Sequence, residues 1–419
     1  MAGRWDGAGS GVVPAWIGKV DAVEDLAARA GLAEVDASGP AVAGTIAAIG
    51  RALRRLSNPH VELRDAATLH EARTRLEFGE RIRALPAPLH LTGLPPGFTA
   101  GSATAHSPEF RVLEVPDAYL CHYPDVPMVV APAGDVILRD AGSRFAGLVH
   151  YYETSLRQML ADAVRIDGTV VAIADDVRPL NFCHWIVDWL PRLAFLAEQV
   201  RRSDLFVAVP PLGADYQWET LALCGIPRER VVQLGTMQGL QARRLLVPGD
   251  LPAPQHPAAK AAAWALDYLR ATLGYGAFLA GIDGAPRRRK LYVSRNDAPG
   301  RRVLNEADLL TRLAPLGYEP VSLTGMPMLR QIALFAGASH VVALHGAGLT
   351  NIVFADPSAM LLELFPSSYG MASYYVLAAG LGVAYASYVC DRVTPGERDQ
   401  LDDITVDIED FMMRARHLL

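Results

Sequence analysis

Along this chain, short apolar runs alternate with segments whose apolar residues recur every three or four positions, and the alternation is clearest after Gly168. Thr169 to Ile173 reads as a strand, His184 to about Val200 as a helix, Leu205 to Val209 as a strand, Asp215 to Cys224 as a helix and Val231 to Leu234 as a strand. Pro252, Pro254 and Pro257 interrupt the series, and Ala258 to Leu273 then predicts a connecting helix. A second series follows: strand from Leu291, helix Asn305 to Leu316, strand Pro320 to Leu323, helix Pro327 to Ala336, strand Val341 to Leu344, strand Met360 to Leu364, helix Tyr369 to Gly380 and strand Val383 to Tyr388. Such alternation predicts parallel sheets covered by helices. Before it, the spacing from Val20 to Ser57 predicts two outer helices, and Phe110 to Leu138 predicts short strands joined by tight turns. Ile404 to Leu419 reads as a terminal helix.

A length of 419 residues exceeds what one core normally supports, so two domains are expected. A net charge of -6 argues against a dedicated nucleic-acid binder, and the one basic run, Arg287 to Lys290, either flanks a strand or leans toward a phosphorylated ligand. Cys121, Cys183, Cys224 and Cys390 lie far apart, without zinc-ligand spacing, and read as reduced and buried. The amino-terminal residues lack the apolar core of a signal peptide, and no apolar run reaches membrane-spanning length, so the expected location is cytoplasmic. Peripheral association with membrane-bound machinery at the inner face of the membrane, and homo-oligomerisation, are compatible with this composition.

The densest candidate for chemistry is Ser339 to Asn351, where the apolar strand Val341 to Leu344 meets the turn His345-Gly346-Ala347-Gly348-Leu349-Thr350-Asn351 and apparent helix. A strand end, a glycine turn and a helix start together form an anion site, because unpaired amides and the positive dipole end face the crevice. The same pattern also serves as an ordinary tight turn. A dehydrogenase fingerprint is incomplete, since Asn351 stands where a third small residue would close the helix packing. A serine hydrolase is disfavoured by the lack of G-x-S-x-G.

Three segments, taken in order, resemble glycosyltransferase family 61, whose bacterial members include capsular polysaccharide biosynthesis proteins. They are Asn181 to Arg192; Leu291 to Arg295 with Arg301 to Glu306; and the glycine turn with Phe354 to Pro357 and Leu362 to Pro366. The likeness runs over roughly 105–390. It implies an α/β chain of GT-B architecture: two Rossmann-like doubly wound domains, at 105–250 on the acceptor side and 251–390 on the nucleotide-sugar side. An N-terminal helical extension, 1–104, would precede them, and a C-terminal helix, 391–419, would pack back on the first lobe. It also implies inverting, metal-independent transfer from a nucleotide sugar, a UDP-sugar by expectation, to a glycan or glycoconjugate acceptor, with no cofactor. The absence of an Asp-x-Asp motif agrees with metal independence. A non-catalytic nucleotide-binding scaffold of a polysaccharide biosynthesis complex is the alternative.

Displacing a nucleoside diphosphate builds negative charge on the leaving group, so fixed donors near it contribute most. Arg295, just past a strand end, is the first candidate; Arg301 and Arg302, in a Gly/Pro loop, close over the diphosphate or form surface pairs. Gly346 and Gly348 let the backbone approach, while Thr350 and Asn351 cap the turn or donate to phosphate. His345 bonds phosphate, sugar or a turn carbonyl. Glu363 at the next strand end is expected to accept the ribose hydroxyls. His184 and Asp188, four apart on a helix, form either a general base with its orienting carboxylate or a structural pair. Trp185 is core or a sugar platform, Asn181 caps the helix or positions the acceptor, and Arg192 pairs with Asp188 or reaches phosphate.

Overall fold

A computed structural model describes residues 73–78, 81–98, 104–107, 110–122, 127–130, 136–137, 158–173, 181–196, 204–248, 262–274, 288–393 and 402–419. The chain divides into two compact units, one formed from 1–74, 113–177 and 233–247 and the other from 75–112, 178–232 and 248–419. The two helices expected between Val20 and Ser57 lie outside the described residues.

In the first unit, β1 (Tyr119–His122), β2 (Pro127–Val130), β3 (Val136–Ile137), β4 (Val164–Ala172) and β5 (Gln238–Pro248) share one sheet. β4 lies parallel to β5, whereas β5–β1, β1–β2 and β2–β3 are antiparallel. The turn-rich stretch after Phe110 accounts for the antiparallel part, because short connections allow only antiparallel neighbours.

The second unit carries a parallel sheet. β6 (Arg289–Val293), β7 (Tyr318–Val321), β8 (Ala338–Leu344), β9 (Met360–Pro366) and β10 (Ala384–Arg392) run in the order β7-β6-β8-β9-β10, and β11 (Ile404–Thr405) closes one edge antiparallel. α3 (Glu306–Leu313) and α4 (Met328–Ala336) connect the first three strands, and α5 (Ser373–Leu381) connects β9 to β10. Two earlier helices of the chain are α1 (Asp215–Leu223) and α2 (Ala263–Leu269). β8 and β9 are buried almost throughout, as central strands covered on both faces are. Alternation sends Val342, Leu344, Leu362 and Leu364 into a core with Leu309 and Leu313 of α3, and turns Glu363 and Phe365 to the opposite face. The second unit, doubly wound around a parallel sheet, agrees with the expectation of an α/β chain, whereas the described part of the first unit is a mixed sheet with three antiparallel pairings.

Several elements depart from the pattern. The segment from His184 is a π turn, His184–Trp189, followed by a 3-10 turn, Leu190–Leu196. Pro191 offers no N–H to an α ladder, which accounts for the break. The glycine turn leads into a 3-10 segment, Ala347–Phe354. The terminal helix α6 (Ile408–Ala415) buries Phe411 and Ala415 in the core beneath β10 and α3. The 1–104 stretch, expected to be helical, contributes strands where it is described: Arg81–Ala84 pairs with Thr104–Ser107, and Leu89–His90 lies parallel to β10. In the basic run, Arg289 pairs with Glu319 and Lys290 reaches the Leu419 carbonyl, both at the amino end of β6, away from any ligand crevice at the carboxyl ends. All four cysteines are free and buried. No helix among the described residues is long and apolar enough to cross a membrane.

Candidate active site

The strand order reverses between β6 and β8. β7 follows β6 on one side, and the chain then crosses to add β8 on the other. In open α/β sheets ligands occupy the crevice outside the carboxyl ends of the strands at such a switch point. Val293 pairs with Ala343 there, so the turn after β6, carrying Arg295, and the turn after β8, carrying His345 and Gly346, stand side by side.

Arg295 is placed by its surroundings. The Ser294 hydroxyl donates to buried Glu306 at 3.0 Å, and the Asn296 side-chain amide donates to the same carboxylate oxygen, which clamps the turn on either side of Arg295. Arg295 Nε donates to the Arg301 carbonyl at 3.1 Å. Its guanidinium lies on the bare backbone of Gly346, where a Cβ would come within 2.2 Å of Nη1 and 2.9 Å of Cζ. Gly346 therefore makes room for a side chain. Its own φ of 175° is extended backbone that any residue adopts. Gly348 likewise makes room for Leu323, whose Cδ1 would lie 2.9 Å from an added Cβ.

Arg301 shares this position. It takes the left-handed conformation at φ 57°, uncommon for a residue with a Cβ, and sets its guanidinium 5.3 Å above the Tyr369 ring. Its Nε is buried without a hydrogen-bond partner. Burial first, then the like charge of Arg301, holds the Arg295 guanidinium below its usual pKa. Among the described residues neither arginine has a salt-bridged carboxylate. Asp297, the acid beside Arg295 in sequence, is held by the Ser322 hydroxyl at 2.5 Å. Asp297 reaches Arg295 through its field alone, so two guanidiniums with only partial access to water and no salt-bridged carboxylate are suited to take an anion. Arg302 is excluded from it: its guanidinium pairs with Asp403 at 2.7 Å, and its backbone N–H bonds the same carboxylate.

His345 Nδ1 meets Glu363 Oε1 at 2.5 Å, and Glu363 Oε2 accepts from the Tyr385 hydroxyl at 2.7 Å. Glu363 is fully buried with both oxygens engaged, so it cannot be the ribose acceptor and serves to orient His345. Phe365 stacks on the imidazole at 5.1 Å, and Tyr374 and Tyr369 cover it at 5.1 and 5.6 Å. Burial holds His345 below the ordinary histidine pKa; Glu363 opposes the shift, and Arg301 and Arg295 add to it. The imidazole is thus neutral, with Nδ1–H on the carboxylate and a lone pair on Nε2. That lone pair suits a hydroxyl donor better than a phosphate oxygen.

Thr350 and Asn351 are fully buried and cannot donate to phosphate. Asn351 pins the turn instead, donating to Gln331 Oε1 at 2.9 Å and to the Gly348 carbonyl at 3.0 Å, while Gln331 donates to the Met326 carbonyl. Leu349 belongs to the core; Ala347 and Gly348 stay partly open at the start of the 3-10 segment, whose first N–H groups have no acceptor within the turn.

His184 Nδ1 meets Asp188 Oδ2 at 2.5 Å, with 14 and 10 % of the two side chains exposed. Asn181 Oδ1 accepts from the N–H groups of Cys183 and His184 at 3.0 and 3.2 Å, so Asn181 caps the turn. Trp185 is fully buried, donates to Thr220 at 2.8 Å and packs edge-on against Trp189; it is core and has no face for a sugar. Arg192 is buried too. Its Nε donates to the Asp188 carbonyl, not the carboxylate, at 3.0 Å, which removes it from any phosphate. Burial, with Cys183 and Glu363 adding to it, pushes the Tyr374 hydroxyl well above the usual tyrosine pKa, so it stays a neutral phenol.

Tyr369, Tyr374, Tyr385 and Glu306 were not foreseen as site residues. A signal existed for the first two, since Tyr369, Tyr374 and Tyr375 crowd together just past a strand end. Tyr385 and Glu306 carried none, because only the sheet and the following helix bring them in.

Fold and site together define a parallel α/β protein with a cationic crevice at its switch point and a histidine–carboxylate pair nearby. Residues 182–362 match the family model Glycosyltransferase 61, a span that takes in His184, Arg295 and the glycine turn. With that domain, the protein is a glycosyltransferase. No curated protein matches the chain. Among solved structures it is similar to the E. coli heptosyltransferase WaaC with ADP, at 10 % identity and TM-score 0.32, over 61 % of this chain and 98 % of that one.

Gly346→Ala is expected to leave the fold intact, since the guanidinium can swing away. Nucleoside diphosphate affinity should fall about tenfold, in the range of a lost charge-assisted bond; calorimetric titration with UDP and a melting curve check both parts.

Proposed function

We propose that the protein transfers a sugar with inversion from a nucleoside diphosphate sugar, a UDP-sugar, to a hydroxyl of a glycan or glycoconjugate acceptor. The observation that carries this reading is the pair Arg295 and Arg301, two guanidiniums at the switch point without a carboxylate between them. A diphosphate supplies the missing negative charge, and planar donors meet its oxygens in pairs. Because protein cations fill this role and the sequence has no Asp-x-Asp motif, the reading includes metal independence.

The reaction is a single displacement. The acceptor oxygen attacks the anomeric carbon, its proton passes to a base, and the bond from that carbon to the phosphate oxygen breaks with the electron pair leaving on the diphosphate. Arg295 and Arg301 meet that charge as it forms. Of two histidine–carboxylate pairs that can supply the base, the charges around them favour His184. Both have a carboxylate on Nδ1, but protonating His345 would also place a cation beside two guanidiniums. His184, its Nδ1 on the Asp188 carboxylate, keeps Nε2 for the proton and has an anion to stabilise the resulting imidazolium. The resemblance to capsular polysaccharide proteins supports a role in surface polysaccharide assembly, on the cytoplasmic side of the membrane.

Arg295→Ala should weaken UDP binding and transfer together by tenfold or more; unchanged UDP affinity would remove the arginine from the phosphate site. His184→Ala should keep UDP affinity within about twofold while transfer slows by about 10² to 10⁴. Full activity in that variant assigns the base elsewhere. Transfer should persist in excess chelator, and its loss with recovery on adding Mg²⁺ or Mn²⁺ would overturn the metal-independent mechanism.

A further inference from the structure

Residues 83–98 precede the family-matched span, yet they pack on the edge of the same sheet and on the loop after β9. Leu89–His90 extends the sheet beside β10, with Leu89 against Ala386 and His90 against Ser387. Side chains lock this register: His90 Nδ1 meets Ser387 Oγ at 2.6 Å, Val389 N–H donates to Thr92 Oγ1 at 2.7 Å, and the Tyr375 hydroxyl donates to the Pro86 carbonyl at 2.8 Å. The strap then turns at Pro95 to Phe98, closed by a bond from Phe98 N–H to the Pro95 carbonyl at 3.2 Å.

At this turn the strap meets the loop after β9. Gly97 has φ 80°, a left-handed conformation that favours glycine, and a Cβ there would lie 2.2 Å from the Gly370 carbonyl oxygen. The contact is reciprocal: a Cβ on Gly370 would lie 2.5 Å from the Pro96 carbonyl oxygen and 2.8 Å from Phe365. Two backbones therefore touch where neither tolerates a side chain. Buried Phe98 packs edge-on against Phe365 at 5.8 Å, and Phe365 is the ring stacked on His345. Next to Gly370 stands Tyr369, the ring beneath the Arg301 guanidinium.

We propose that Gly97 is a positioning residue for the donor: its contact with Gly370 fixes the loop so that Tyr369 holds Arg301 in the anion site. Residues outside the matched span then complete the site, and donor affinity depends on them. The proposal rests on the reading of Arg295 and Arg301 as the diphosphate site.

The test is a double-mutant cycle on the full chain, read by UDP titration and by donor KM and kcat. Gly97→Ala is expected to weaken UDP about tenfold and raise donor KM with kcat within about twofold. On an Arg301→Ala background the same change should have no further effect, because its route to the ligand is gone. Phe98→Leu introduces no backbone clash and serves if Gly97→Ala fails to fold; it should weaken UDP at least threefold, again only when Arg301 is present. Wild-type UDP affinity in both variants, or an equal loss with and without Arg301, overturns the proposal. If Arg295→Ala and Arg301→Ala themselves leave UDP binding unchanged, the diphosphate reading fails instead.

Discussion

The arrangement of this site depends on one steric fact, that the Arg295 guanidinium lies where a side chain on Gly346 would be. A switch point brings two strand ends together, but whether the space between them holds a cation, a ligand or nothing is decided by what the turns leave vacant. Here the first turn supplies the charge, clamped through Glu306, and the second supplies the vacancy. Arg301 then joins through its carbonyl, which accepts from Arg295, and through a backbone conformation that directs its own side chain to Tyr369. Holding like charges together in a partly dry site is unfavourable unless a ligand compensates, and holding Arg301 at positive φ costs on the order of 1 kcal/mol more. Backbone strain and two guanidiniums without a salt-bridged carboxylate coincide here, which supports the reading of an anion site.

The two histidine–carboxylate pairs illustrate how similar local chemistry sits in different surroundings. Both have the same 2.5 Å contact through Nδ1. His345 is enclosed by aromatic rings, and burial with the nearby arginines lowers its pKa against the pull of Glu363, which favours the neutral form. His184 lies on a π turn with its side chain partly open, opposite a carboxylate whose backbone carbonyl is held by buried Arg192. Proton transfer needs a base that an acceptor can reach, and of the two side chains His184 is the more open.

Much of the second unit was legible in its sequence. The strands at Leu291, Val341, Met360 and Val383 and the helices at Asn305 and Pro327 came out within a few residues of where they lie, because buried parallel strands are continuous apolar runs and amphipathic helices keep their period. The failures share a cause. Glu363 was taken for a ribose ligand because it ends a strand, but alternation turns it inward, where Tyr385 and His345 take both its oxygens. Arg301 and Arg302 looked equivalent as neighbours, yet the positive φ of the first separates them, one toward Tyr369 and the other toward Asp403. Trp185 and Arg192 had polar or aromatic chemistry that burial removed from use.

The sequence alone thus determined the α/β class, the glycine turn at a strand end and the residue types of a transferase site, since each is encoded in local period or in an ordered set of short motifs. Only the tertiary structure decided which of those residues face the crevice. It showed that Gly346 serves a guanidinium, that Glu363 orients a histidine, and that Gly97 meets Gly370 from far along the chain. Each of these is a contact between segments distant in sequence, set by strand order and by the side of the sheet on which a residue falls, and neither quantity is carried by any local pattern.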